Sequence, residues 1–246
     1  MTSAKERLDK ILVDSGMAVS RERARALIME GKVCVNGIPV SKAGALINAD
    51  AKIELKGEDI PYVSRGGLKL EAAIKNFNIS LQNKIAMDVG SSTGGFADCM
   101  LQNGIKKIYC IDVGYGQLAW KLRQDPRIVL IERTNIRYLE REKIPDSIDI
   151  ATIDVSFISL NKVVPKVLEF LREDGEIIAL IKPQFEVGRG EVDKGGIVRD
   201  EAKRLKAVED MKKDFETIGL KVIGTMQSPI SGQKGNVEYF IYAVKT

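Results

Sequence analysis

The chain has 246 residues, of which 44% are hydrophobic and 29% charged, and its formal net charge is +4. This balance is typical of a globular protein, and the length fits one core domain of about 180 residues beside a small accessory domain. The absence of histidine excludes Ser-His-Asp triads, Cys-His nucleophile pairs and histidine-ligated zinc. The three cysteines form no CxxC pair, so we expect neither disulfides nor a metal site.

Targeting and membrane signals are not apparent in the sequence. The first ten residues carry charges where a signal peptide would need an apolar core, and no apolar run reaches about 18 residues. We therefore expect a cytoplasmic protein without a membrane partner. The small positive net charge is compatible with nucleic-acid binding but is too weak to predict it alone.

Residues 1–58 are predicted to form a small α+β domain that begins with two helices. Leu8, Ile11 and Leu12 have helical spacing, and Gly16 marks the end of that helix. Ser20 is a suitable N-cap for the second helix, which would end before a glycine at position 31.

The rest of this small domain reads as short strands. Two strand-like runs flank the Asn-Gly pair at positions 36–37, which favours a tight hairpin turn, and residues 52–55 alternate like a further strand. A polar segment that contains Pro61 follows, and we place the interdomain linker at residues 59–63.

Residues 64–246 alternate between strand-sized apolar runs and amphipathic helical runs. The predicted strands are 85–89, 107–111, 128–131, 148–153, 176–181, 220–226 and 237–244, and the predicted helices include 94–103 and 160–171. This alternation predicts a parallel sheet covered on both faces, that is, a Rossmann-like α/β fold. The last two runs have only a loop between them, and the antiparallel hairpin they predict is typical of a class I methyltransferase.

A glycine-rich loop, DVGSSTGGF at residues 88–96, follows the first of these strands and opens a helix. A P-loop would need Lys and Ser or Thr at positions 96–97, and a dinucleotide fingerprint would need glycine in place of Ser92. S-adenosylmethionine carries no phosphate, and an acidic residue after the next strand could hold its ribose hydroxyls. Asp112 stands at that position, so the loop and the acid together predict an S-adenosylmethionine site.

The larger domain resembles the TlyA family through five strings: YVSRGGLKLE (62–71), DVGSSTGGF (88–96), DVGYGQLAW (112–120), DVSFISL (154–160) and KPQFEVGR (182–189). The smaller domain resembles an S4 RNA-binding domain through RLDK (7–10), SR (20–21) and GKVCVNG (31–37). The resemblance covers essentially the whole chain. It implies an S-adenosylmethionine-dependent 2′-O-methyltransferase that acts on cytidines of ribosomal RNA.

The related FtsJ-type enzymes use a Lys-Asp-Lys-Glu tetrad, which the motifs carry over to Lys69, Asp154, Lys182 and Glu238. Asp154 and Lys182 follow two successive predicted parallel strands, where open α/β sheets bind ligands. Lys182 is the candidate at the 2′-hydroxyl. Such a lysine can accept the proton or stay charged and stabilise the developing alkoxide, and the sequence leaves both roles open.

The binding residues follow from the same motifs. The predicted cofactor site comprises Asp88, Gly90, Ser91, Ser92, Thr93, Gly94, Gly95, Phe96, Asp112 and Val113. The basic side chains expected to contact RNA are Arg7, Lys10, Arg21, Arg23, Arg25, Lys32 and Arg65. Interleaved glutamates are also compatible with an ordinary solvated face, and the S4 resemblance favours RNA binding.

The leading hypothesis is thus a two-domain enzyme that methylates the ribose of ribosomal RNA or ribosomal subunits, with S-adenosylmethionine as cofactor and no metal. The alternative is a non-catalytic RNA-binding or ribosome-assembly protein on the same fold. The intact glycine loop and tetrad argue against that alternative. Some family members carry a haemolysin label, and a secreted pore-former is disfavoured by the missing targeting and membrane signals.

Overall fold

A computed structural model describes residues 5–18, 20–29, 31–48, 50–56 and 60–246, apart from the side chains of Glu22, Arg189 and Gln233. The chain divides into two compact units, Met1–Ile60 and Pro61–Thr246. Part of the predicted boundary, residues 57–59, lies outside the described residues, as do residues 1–4 of the predicted first domain.

The first unit combines two helices with short strands. Its helices are α1 (Leu8–Asp14) and α2 (Arg21–Met29), and its strands are β1 (Lys5–Arg7), β2 (Val33–Val35), β3 (Ile38–Pro39), β4 (Leu46–Asn48) and β5 (Ile53–Leu55). Strand β2 lies between β3 and β5, and β1 pairs with β4. Buried Leu8, Leu12, Leu27 and Ile28 form the centre of its apolar core.

Local signals in the first unit have the predicted effects. The hydroxyl of Ser20 accepts the backbone N–H of Arg23, which caps the start of α2. Asn36 and Gly37 both have positive φ, as a two-residue hairpin turn between β2 and β3 requires. Strand β5 pairs with β2 as an antiparallel neighbour. Strands β1 and β4 were missing from the prediction; the three residues of β1 are all charged and so carry no apolar pattern.

The second unit is an α/β domain with one seven-stranded sheet over residues 60–246. Its strands are β6 (Ile85–Val89), β7 (Lys107–Ile111), β8 (Ile128–Ile131), β9 (Ile148–Ile153), β10 (Leu171–Ile181), β11 (Leu220–Gln227) and β12 (Tyr239–Lys245). Its α-helices are α3 (Gly66–Phe77), α4 (Gly95–Gln102), α5 (Trp120–Arg123), α6 (Val164–Leu168), α7 (Pro183–Glu186) and α8 (Glu201–Thr217). Short 3₁₀ turns lie at Ile136–Tyr138, Arg141–Lys143, Leu160–Lys162, Arg189–Glu191 and Gln233–Gly235.

The strand order across this sheet is β11-β12-β10-β9-β6-β7-β8. Neighbouring strands from β10 to β8 run parallel, and β12 is antiparallel to both β10 and β11. The predicted terminal hairpin is therefore confirmed, with β12 inserted between β11 and β10. The carboxyl ends of β6, β7, β9 and β10 consequently meet at one edge, where open α/β sheets bind their ligands.

Helices cover both faces of the sheet. Along each strand, successive side chains enter opposite apolar clusters, because a strand has a two-residue period. Helices α3 and α4 pack on one face, and α6 and α8 pack on the other. The carboxyl edge is thus left as the place where polar side chains can reach a ligand.

The predicted helix over residues 160–171 is wrong in extent. The chain forms a 3₁₀ turn at Leu160–Lys162 and then the five-residue helix α6, and Leu171 already belongs to β10. Pro165 has no N–H to donate to a preceding turn, so it is favoured in the first turn of a helix, which is where α6 has it. The break leaves the segment after β9 as a loop beside the site.

Candidate active site

The glycine-rich loop at residues 90–95 lies at the carboxyl end of β6. Gly90, Ser92 and Gly94 all have positive φ, which lets the chain reverse direction within a few residues. A β-carbon on Gly90 would lie 2.5 Å from the carbonyl oxygen of Asp154, so only glycine permits this approach to the chain leaving β9. Helix α4 then begins at Gly95, and its N-terminus faces the same edge.

Asp112, the predicted ribose acceptor, ties the glycine loop to the end of β7. Its Oδ2 accepts the backbone N–H of Ser92 at 2.7 Å, and its Oδ1 accepts the N–H of Gly114 at 2.6 Å. The next side chain, Val113, is 70% exposed. An acidic group and an apolar surface therefore stand side by side next to the loop.

Asp88 lies beneath the loop and is completely buried. Its Oδ1 accepts a hydrogen bond from the hydroxyl of Thr152 at 2.8 Å, whereas its Oδ2 is buried without a hydrogen-bond partner. Burial raises the pKa of Asp88 to about 7, and the Thr152 hydrogen bond offsets this rise only in part. The carboxyl group thus lies at the base of the loop rather than on the surface of the site.

A cleft of about 470 Å³ opens above the glycine loop. The predicted cofactor residues that line it are Gly90, Ser91, Ser92, Thr93, Gly95 and Phe96. Asp88, Gly94, Asp112 and Val113 lie outside this lining. The start of α3, with Arg65 and Lys69, forms another wall, and a loop at residues 230–232 closes the cleft opposite.

The four predicted tetrad residues form two ion pairs. Lys69 Nζ donates to Glu238 Oε2 at 2.7 Å, and Lys182 Nζ lies 2.6 Å from Asp154 Oδ1. Lys182 and Glu238 are only 7% and 3% exposed, so each charge needs its partner to be stable there. Glu238 directly precedes β12, whereas the strand predicted over residues 237–244 included it.

The two ion pairs belong to the same cleft. Lys69 and Asp154 both line it, and the ion-pair partner of each has a less exposed side chain. Gly232, in the wall opposite, packs against the Glu238 carboxylate. The chain thus brings together residues from α3, from the ends of β9 and β10, and from the start of β12.

Sequence reasoning missed three features of this site. The hydroxyl of Ser156 accepts a hydrogen bond from Lys182 Nζ at 2.9 Å. Phe157 has a φ of 65° and is 84% exposed, and its ring packs on Phe185 with centroids 5.2 Å apart. Both Ser156 and Phe157 lie in the DVSFISL string, so that string was the available signal. The position of Gly232 had no local signal.

In the first unit, three predicted RNA-binding arginines surround one buried acid. Arg7 donates twice to Asp9, at 2.9 and 3.0 Å, Arg25 Nε lies 3.1 Å from it, and Arg21 reaches it at 3.5 Å. Asp9 is completely buried, and the hydrogen bonds from Arg7 hold the pKa of its carboxyl far below the ordinary value. The three arginine side chains remain about half exposed.

The remaining predicted RNA-binding residues lie outside this group of three arginines. Lys10 forms ion pairs with Glu6 and Asp14 on the exposed side of α1. Lys32 is half-buried in the turn between α2 and β2. Arg23 is only 8% exposed, which leaves little of its side chain for an RNA phosphate. Arg65 is exposed at the start of α3, in the second unit.

Across the described ranges, no helix has the length and apolar character needed to cross a membrane. Within the same part of the chain, no group of three or more His, Cys, Asp and Glu residues is arranged to hold a metal ion.

The strand order, with its inserted antiparallel strand, and the glycine loop at the carboxyl edge define a class I methyltransferase. Residues 62–245 match the FtsJ-like methyltransferase family, and residues 6–53 match the S4 domain. Together with the relatives below, these matches show that the chain belongs to the TlyA family of FtsJ-like methyltransferases, and it is therefore an enzyme.

Similar proteins span nearly the whole chain. YqxC of Bacillus subtilis (strain 168) is 48% identical over 98% of this chain and 86% of its own length. The 16S/23S rRNA (cytidine-2′-O)-methyltransferase TlyA of Mycobacterium tuberculosis (strain CDC 1551 / Oshkosh) is 42% identical over 96% of this chain and 88% of its own length. A solved structure from Streptococcus thermophilus that carries a hemolysin name has 43% identity and a TM-score of 0.78, covering 99% of this chain and 89% of that one.

Proposed function

We propose that this enzyme transfers a methyl group from S-adenosylmethionine to the ribose 2′-hydroxyl of a cytidine in ribosomal RNA. The observation that carries the proposal is the two partly buried Lys–carboxylate ion pairs, Lys182–Asp154 and Lys69–Glu238, at one cleft beside the glycine loop. The name of the M. tuberculosis relative supports the choice of a cytidine 2′-hydroxyl in ribosomal RNA.

The residues at the carboxyl edge fit S-adenosylmethionine. Asp112 offers a carboxylate to the two ribose hydroxyls, and the exposed Val113 offers an apolar surface to the adenine ring. Ser91, Ser92 and Thr93 line a cleft that can hold the amino-acid end. The bound cofactor would supply a sulfonium methyl group, for which the leaving group is already good. Because S-adenosylmethionine carries no phosphate, its binding needs no phosphate-binding lysine in the loop.

In the proposed mechanism, the residues of the protein orient and activate the hydroxyl. Lys182 contacts the 2′-oxygen, and Asp154 and Ser156 hold its amine in place from two sides. Lys69 is held in the same way by Glu238. The Lys69 ammonium, together with that of Lys182 where Lys182 is protonated, favours negative charge on the oxygen as its proton is lost. Lys182 acts either as a neutral amine that takes that proton, or as an ammonium that stabilises the alkoxide while the proton passes to solvent, and its arginine variant separates these roles.

Two further features support an RNA substrate. Arg7, Arg21 and Arg25 form a cluster of half-exposed guanidinium groups around Asp9, suited to backbone phosphates rather than to base reading. In the second unit, the exposed ring of Phe157 stands three residues after Asp154, where it can stack on an unpaired base. Ribosomal RNA or a ribosomal subunit is thus the proposed partner, and the cytoplasm is the proposed compartment.

The test uses tritium-labelled S-adenosylmethionine and ribosomal subunits from cells that lack this gene. Methyl transfer to a 2′-oxygen blocks alkaline cleavage of the neighbouring phosphodiester, so the label should appear in alkali-stable dinucleotides that contain cytidine. A matched RNA whose target cytidine is replaced by 2′-deoxycytidine should accept no label. Label released as a modified base, or no transfer to either subunit, would contradict the proposal.

A further inference from the structure

Two segments that follow neighbouring strands run side by side at the carboxyl edge of the sheet. The post-β9 segment is residues 154–160, and the post-β10 segment is residues 182–186. Each carries one member of the Lys182–Asp154 ion pair at its first residue. The geometry of that pair therefore depends on what holds the two segments together.

The two segments contact each other in chain order, from the strand ends outward. Lys182 contacts Asp154 and Ser156, and Phe185 packs on Phe157. At the far end, the backbone N–H of Leu160 donates to Glu186 Oε1 at 3.0 Å. Glu186 is thus the last cross-link of the series.

The post-β9 segment needs such a restraint because its backbone is strained. Phe157 adopts the left-handed region with a φ of 65°, which a bulky side chain rarely occupies. Conformations of this kind persist only where the surrounding contacts hold them. Lys182 restrains the segment before Phe157, and Glu186 restrains it after Phe157.

The surroundings of Glu186 give it no evident role in binding the cofactor or the substrate. Burial raises the pKa of its carboxyl above the ordinary value, and the hydrogen bonds from Ser159 and Leu160 offset this rise in part. It lines a narrow crevice near α8 rather than the cleft above the glycine loop. Asp214 in the same crevice bonds to the side chain of Asn161.

We propose that Glu186 is a positioning residue: by accepting the Leu160 N–H it fixes the post-β9 segment and so holds Asp154 and Ser156 around the Lys182 amine. This inference rests on the proposed catalytic role of Lys182. Glu186 itself does not reach the substrate. Its effect should therefore appear in the rate of transfer and not in the binding of the cofactor.

Three variants of Glu186 distinguish the hydrogen-bond acceptor role of its side-chain oxygen from the effect of its charge. Glu186→Gln keeps an acceptor oxygen at the same reach, whereas Glu186→Ala removes it and Glu186→Asp withdraws it by one methylene. We expect kcat for methyl transfer to fall about 10²-fold in the alanine variant, the scale of a catalytic group displaced by about 1 Å. The aspartate variant should also lose kcat, and the glutamine variant should stay within about threefold of the original protein.

Cofactor affinity should stay within about twofold in all three variants, because none of the groups proposed to bind the cofactor lies in the post-β9 segment. Asp210→Ala is the matched control, since it removes a carboxylate from the same crevice whose ion-pair partner is Lys206 on α8 and not a residue in or beside the post-β9 segment. Its kcat should be unchanged. An alanine variant with normal kcat would overturn the proposal, as would a glutamine variant as slow as the alanine one.

Hydrogen exchange tests the restraint without relying on activity. The Leu160 amide should exchange at least tenfold faster in Glu186→Ala and remain protected in Glu186→Gln. Equal protection in the alanine variant would overturn the positioning role. If the unaltered protein transferred no methyl group to RNA, the proposed function would fail, while the exchange rates would still decide whether Glu186 restrains the segment.

Discussion

Gly232 packs so closely on Glu238 that a β-carbon at position 232 would lie 1.9 Å from the carboxylate Oε1. The backbone of Gly232 does not have the positive φ that disfavours alanine. A methyl group there would therefore be accommodated by displacing the tip of the Glu238 side chain. Because the same carboxylate holds Lys69, one methyl group can disturb half of the tetrad.

We expect Gly232→Ala to lower methyl transfer by about 10²-fold, the cost of misplacing a catalytic group by about 1 Å. Circular dichroism should show a folded protein, since the displaced atoms face the cleft rather than an apolar cluster. Gly190→Ala is the control, because nothing lies within 4 Å of its β-carbon position. Normal transfer by Gly232→Ala would show that the position of Glu238 is not important for the reaction.

Lys182→Ala should reduce transfer by about 10²–10⁴-fold, the scale for losing a general base or an equivalent electrostatic group. Cofactor and RNA affinity should change only a few-fold, as calorimetry and filter binding can measure. Lys182→Arg distinguishes the two roles, since guanidinium does not lose its proton in proteins. A largely active arginine variant would eliminate the base role. Near-normal transfer by the alanine variant would contradict the assignment of Lys182 to the reaction.

Asp112→Ala should weaken S-adenosylmethionine binding by roughly 1.5–3 kcal/mol, the range for hydrogen bonds to a charged group. This corresponds to a Kd that rises about 10- to 100-fold. The variant also loses the acceptor that ties the Ser92 and Gly114 amides together. Asp125→Ala serves as the control, because that carboxylate pairs with Arg127. An unchanged calorimetric Kd for Asp112→Ala would refute the proposed ribose contact.

Because of Asp88, the free energy of unfolding should decrease as the pH rises. The pKa of Asp88 is about 7 in the folded protein and 3.8 without the fold. Between these values the folded state binds the extra proton, so the free energy of unfolding decreases as pH increases and levels off above about 7. Asp88→Asn cannot ionise. Its melting temperature should therefore improve relative to the original protein between about pH 4 and pH 7. A difference that stays constant over this range would contradict the raised pKa.

Substitution of Arg21 tests RNA docking, and we expect it to lower the free energy of unfolding only slightly. It is 52% exposed and reaches Asp9 only at 3.5 Å, whereas Arg7 binds that carboxylate twice at shorter distances. Arg21→Gln should weaken binding to ribosomal RNA, and the log–log salt slope should become shallower by about 1 for each lost phosphate contact.

The control for Arg21 is Arg172→Gln. Arg172 is 45% exposed and forms an ion pair with Asp149 at 2.7 Å, near the amino ends of β9 and β10. The two substitutions change the net charge equally. If both weakened RNA binding to the same extent, the effect would reflect overall charge, and the arginine cluster around Asp9 would have no special role.

Much of the fold was predictable because its signals are local. Apolar runs of strand length, the turn at Asn36 and Gly37, and the cap at Ser20 each act within a few residues, and the structure has these elements. The helix predicted over residues 160–171 failed because a proline within the helical pattern shortened it. The glycine loop and Asp112 were also visible in chain order, since consecutive parallel strands place their carboxyl ends at one edge.

The sequence by itself therefore determined the two-domain organisation that we propose, the class of fold and the set of candidate site residues. Only the tertiary structure decided how those residues are paired. Lys69 and Glu238 are 169 positions apart and meet because α3 packs beside the sheet into which β12 inserts. The same holds for Arg21 and Arg25, which reach the buried Asp9 from 12 and 16 positions away. Such pairings arise from long-range packing and burial of charge, and local pattern carries no information about either.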